Sequence, residues 1–138
     1  MRDIQRTESG YRVQVSVENV GSGHMIPTGI PTRQLELVVQ LRRGQTVLGE
    51  KRTAFRKVVV DEQGIELRSD AQVFLRGVAI RSDNRILPKR AQEVSLFFPY
   101  PGAPDFVVEA KLYYRYPTAF TKPEEITQEM ASATRPAR

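Results

Sequence analysis

A chain of 138 residues with 40% hydrophobic content supplies one ordinary core and falls within the size of a single domain. The absence of cysteine excludes disulfides, thiolate metal sites, cysteine nucleophiles and covalent attachment of haem through a Cys-x-x-Cys-His motif. The formal net charge of +5 is dispersed among carboxylates, and its densest group, Lys51, Arg52, Arg56 and Lys57, has no interleaved aromatics to stack on bases; it reads as a solvated strand face, and no nucleic-acid partner is expected.

The chain opens without the apolar stretch of a signal peptide and contains no apolar run long enough to span a membrane, so no membrane insertion is expected and any targeting sequence would lie upstream. Tyr11, Val13, Val15 and Val17 alternate with Arg12, Gln14, Ser16 and Glu18, the period of a half-buried strand. Leu35, Leu37, Val39 and Leu41 repeat the pattern, and Arg43-Gly44 turns the chain into Thr46–Lys51 as a hairpin. Ala54–Val60 follows, then a turn at Asp61–Gly64, an irregular polar stretch to Asp70 and a strand over Gln72–Ile80 with a bulge at Gly77. Asp83–Arg85 makes the next turn, Val94, Leu96 and Phe98 alternate, a proline-rich connection intervenes, and Phe106–Tyr116 forms the last long strand. About seven short strands without an amphipathic helix between them predict an all-β fold, an antiparallel immunoglobulin- or fibronectin-like sandwich over residues 1–117. Residues 118–138 read as a C-terminal helical or flexible tail, with Thr121 as cap, Pro123 in the first turn, Glu124 reaching back, and a short helix to about Ala133.

Between the first two alternating runs lies Asn19-Val-Gly-Ser-Gly-His-Met-Ile-Pro-Thr-Gly-Ile-Pro-Thr-Arg33, which holds the single histidine of the chain. Gly21 and Gly23 permit tight backbone on one side of His24, and Pro27 and Pro31 stiffen the other. A neutral imidazole in such a loop suits a metal or haem iron, and it equally suits a hydrogen-bonded loop residue. One histidine is too few for a zinc site, no spaced oxygen-ligand loop for calcium is visible, and no nucleophile elbow accompanies His24. No catalytic residues are therefore assigned, and an enzyme is not expected. Among the tyrosines, Tyr114 and Tyr116 should share a face with the core, which leaves Tyr113 as the surface candidate.

Three segments taken in order, Val17–Arg33, Ser82–Pro88 and Ala110–Pro117, resemble the β-sandwich domain found near the C-terminus of many secreted bacterial multihaem c-type cytochromes, with its Asn-Val-Gly-x-Gly-His-x-x-Pro-Thr-Gly loop. The resemblance implies a non-catalytic accessory domain of, or partner to, a haem-bearing cytochrome region or chain in electron transfer, in the periplasm or outside the cell. No haem is expected to be bound covalently to this chain; haem c would be carried by another segment or chain. His24 could then be its distal iron ligand and Arg33 a propionate contact, with an Arg33–Asp83 ion pair as the other role for that arginine. The rival reading is a haem-independent adhesion or scaffold module that binds protein or polysaccharide through a sheet face or edge strand, with Tyr113 and the strand around Arg52 in contact.

Overall fold

The alternation of apolar and polar side chains resolves into two antiparallel sheets in a computed structural model that describes residues 1–117 and 125–137. The first sheet has the order β1-β2-β6, built from β1 Asp3–Thr7, β2 Gly10–Glu18 and β6 Ala91–Phe98. The second has the order β5-β4-β3-β7-β8, built from β3 Gln34–Arg43, β4 Thr46–Val60, β5 Ala79–Asp83, β7 Val107–Pro117 and β8 Glu125–Pro136. The all-β sandwich expected from the sequence is what the chain forms. Gly44, at φ +57°, takes the left-handed conformation that lets β3 turn tightly into β4.

The core lies between the sheets and is drawn from the faces that the alternation marked. Tyr11, Val13, Val15 and Val17 of β2 meet Leu35, Leu37, Val39 and Leu41 of β3, joined by Phe55, Phe98 and Val108. Each such side chain taken fully from water contributes on the order of 2 kcal/mol. At one end Tyr11 packs edge-on to Phe106, with ring centroids 4.8 Å apart, and donates its hydroxyl to Gly102 O at 2.9 Å, so an aromatic body is buried with its polar end satisfied.

Two stretches differ from the sequence expectation. The strand expected over Gln72–Ile80 is instead helix α1, Asp70–Arg76, followed by β5. Ser69 caps the helix by accepting from Gln72 N, Gln72 Oε1 reaches back to Arg68 N at 3.1 Å, and Gly77 N closes the last turn on Val73 O. These local caps outweigh the β-forming tendency of Val73 and Phe74. The short helix expected to run to about Ala133 is corrected to β8, which pairs along β7 from Pro117↔Glu125 to Val107↔Pro136. A helix there would leave the backbone groups of β7 unpaired along that edge, and ladder pairing overrides a weak helical tendency. The cap at Thr121–Glu124 lies outside the described residues. No helix among the described residues is long and apolar enough to cross a membrane.

Candidate functional site

The loop from Asn19 to Arg33 leaves the end of β2 and enters β3, and it is anchored by Asn19, which is only 2% exposed. Its Nδ2 donates to His24 O at 2.8 Å and to Ile86 O at 3.2 Å, while its Oδ1 accepts from Ser22 N at 3.2 Å. The backbone adds a two-way bridge between Ile26 and Ile86, with N···O distances of 3.0 and 2.9 Å, and Asn19 exchanges hydrogen bonds with Arg90 O and Lys89 N. The first two segments of the sequence resemblance therefore meet in space. The third joins them through β3, where Leu35 pairs with Tyr114 and Gln34 with Arg115.

His24 stands exposed on this anchored loop, and its hydrogen bonds define how its proton is placed. The Ser22 hydroxyl, with one proton and two lone pairs, donates to His24 O at 3.0 Å and accepts from His24 N at 3.2 Å. Its remaining lone pair faces His24 Nδ1 at 2.8 Å, and Nδ1 also lies 3.2 Å from Met25 O, a carbonyl that can only accept. The consistent assignment puts the proton of the neutral ring on Nδ1, which leaves a free lone pair on Nε2.

Arg33 lies elsewhere on the same loop. Its guanidinium carbon sits 4.8 Å from the centroid of Tyr116, and Nη1 reaches Thr28 O at 3.5 Å, the outer limit of a hydrogen bond. Gly29, at φ +85°, makes room: a Cβ there would stand 2.7 Å from Arg33 Nη1. Arg33 Nε is buried without a hydrogen-bond partner, and no carboxylate among the described residues pairs with this side chain. Asp83 takes Arg85 instead, in a bidentate pair at 2.6 and 2.8 Å that holds the Asp83 carboxyl below its ordinary range. No hydrogen bond or ion pair joins Arg33 to His24 among the described residues.

Tyr114 packs against the core and Tyr113 lies on the outer face of the five-stranded sheet, where it lines a depression of about 180 Å³ with Val38, Gln40, Arg42, Glu109 and Lys111. Tyr116, expected beside the core, instead donates its hydroxyl to Asp70 Oδ2 at 3.1 Å under the Arg33 guanidinium. Arg52 directs its donors to Glu50 at 2.8 Å and Glu36 at 3.3 Å, so the basic strand carries its own counter-charges.

One feature had no signal in the sequence. On the outer face of β3 and β4, beneath the segment that connects β4 to α1, a groove of about 500 Å³ is lined by Glu36, Arg56, Lys57, Glu66, Arg68 and apolar neighbours. Glu66 faces three guanidiniums, with Arg56 at 2.6 Å, Arg81 at 3.2 Å and Arg68 at 3.7 Å. The Arg56 hydrogen bond, aided by the surrounding positive charge, holds the Glu66 carboxyl below its ordinary range against a desolvation that opposes it.

No protein-family model matches the sequence, and no curated protein sequence matches it. Among solved structures the chain is similar to a penta-heme cytochrome c552 from Thermochromatium tepidum, with a TM-score of 0.73 and 20% sequence identity. The likeness covers 97% of this chain and 38% of that one, so the present sandwich corresponds to rather more than a third of a longer haem protein's fold.

Proposed function

We propose that this chain is a non-catalytic accessory domain of, or partner to, a multihaem c-type cytochrome in electron transfer outside the cytoplasm, and that His24 supplies a distal imidazole to a haem carried by another segment or chain. The observation that carries the reading is the hydrogen-bonding setting of His24 Nδ1. Ser22 Oγ and Met25 O both lie within hydrogen-bond distance of Nδ1, which favours the proton there and leaves Nε2 for iron. His24 would be the residue that holds the haem iron, and the haem so held would carry electrons. Asn19 keeps the loop in place from below, so the imidazole is presented with little conformational entropy left to lose. Arg33, whose guanidinium has no carboxylate partner among the described residues, is the candidate contact for an acidic group such as a propionate. The fold shared with part of a penta-heme cytochrome supports the association.

The test titrates the protein against a ferric haem peptide that carries one axial histidine of its own. The expected result is a saturable shift of the Soret band with conversion from high-spin to low-spin iron, lost in His24→Ala. No spectral change, or the same change in His24→Ala, overturns the ligand role. His24→Ala should leave the fold intact, because the anchoring bonds use the backbone of that residue.

A further inference from the structure

The groove over β3 and β4 presents an unbalanced set of charges on an apolar floor. Glu66 is the shared counter-charge of Arg56, Arg68 and Arg81, and Lys57 adds a fourth cation at the rim. A carboxylate offers about four lone-pair sites whereas three guanidiniums bring about fifteen N–H donors, so most of these donors have no protein acceptor in Glu66. The second carboxylate of the groove, Glu36, is already held by Arg115 at 2.7 Å and by Arg52 at 3.3 Å. Both acids are already paired within the protein. Between the charges lie Pro31 and Ala54, each half-buried, over Val58 and Leu67, which are buried where Leu67 N bonds to Val59 O.

We propose that this groove binds a small organic anion that carries carboxylates on a flat apolar body. The carboxylates meet Arg56, Arg68 and Lys57 while the body covers Pro31 and Ala54. The size is that of a small-molecule site, and positive field with an apolar floor selects such a ligand over a bare inorganic anion, which would satisfy the charges and leave that floor wet. A nucleic acid is disfavoured because no aromatic side chain lines the groove. The site is independent of His24, so the two proposals stand or fall separately.

The experiment follows backbone amide shifts of the whole chain during titration with isophthalate and, separately, with inorganic phosphate. Saturable shifts are expected in residues 31–36, 54–58 and 66–68, with phosphate weaker by about tenfold because it makes no apolar contact. Arg68→Gln should weaken isophthalate by roughly fivefold to tenfold, in line with a charge-assisted hydrogen bond at a solvated rim, without a change in melting temperature. The residue is 82% exposed at its side chain and makes a single long ion pair, so the variant folds. Arg81→Gln provides a second variant on the far side of Glu66 and should weaken binding less. Absence of saturable shifts, equal affinity for phosphate, or an affinity untouched by Arg68→Gln overturns the proposal.

Discussion

Two irregular connections are each pinned by one buried polar side chain, and the two pins differ in charge. Asn19 organises the loop that presents His24, and Asp61, 4% exposed, organises the connection from β4 to α1. Asn19 satisfies both ends of its amide with backbone groups of its own loop and of Ile86. Asp61 accepts from Gln63 N at 3.1 Å and Ile65 N at 2.9 Å, yet its charge also needs Arg76 of α1, 2.5 Å away. A neutral pin makes a loop that holds its shape by backbone bonding and places no carboxylate against the imidazole. A charged pin couples its loop to a second element, and each depends on the other.

Asn19→Asp should show the contrast most strongly. A carboxylate in that position turns an acceptor toward the carbonyls of His24 and Ile86 and places a charge where the side chain is buried. The expected loss is about 3–5 kcal/mol, read from the denaturant midpoint, with the amide signals of residues 19–26 displaced. Arg76→Ala comes next, at about 1–3 kcal/mol, since Asp61 keeps two amide donors and loses only its cation. Its signature is loss of α1 while the His24 loop stays ordered; a loss of order in both regions would show that the two pins are not independent. Ser22→Ala should be smallest, under about 1 kcal/mol, because the site is exposed. Imidazole nitrogen shifts should then report a mixture of tautomers where the parent protein is expected to show Nδ1–H.

The core strands were legible because one face of each is dry: β2, β3 and β7 cannot slip by one residue without turning Val13, Leu37 or Val108 to water. Helix α1 escaped because a seven-residue helix that buries none of its side chains leaves no periodicity; its cap, Ser69 with Gln72, was the available sign. Strand β8 escaped for a related reason, since its described side chains from Ile126 to Pro136 are exposed on both faces and nothing in them alternates. Within the site, the loop and His24 stood out in the sequence, but the partner of Asn19 is Ile86, 67 residues away, and only the folded chain brings them together. The groove was invisible for the same reason. Glu36 and Glu66 come together across strands, and apart from Arg68 their arginines lie ten or more residues away in the chain.

Helix α1 leaves Phe74 and Leu75 73% and 83% exposed, and it is tied to the sandwich at its ends, where Asp70 accepts from Thr32 and Tyr116 and Arg76 pairs with Asp61. A helix this short has no stability of its own in water. Opening the 70–76 stretch therefore takes a small part of the free energy that unfolds the whole domain. Its amide protons should exchange with solvent long before those of β3, and a protease that cleaves beside aromatic residues should nick the chain at Phe74 while the two sheets remain closed.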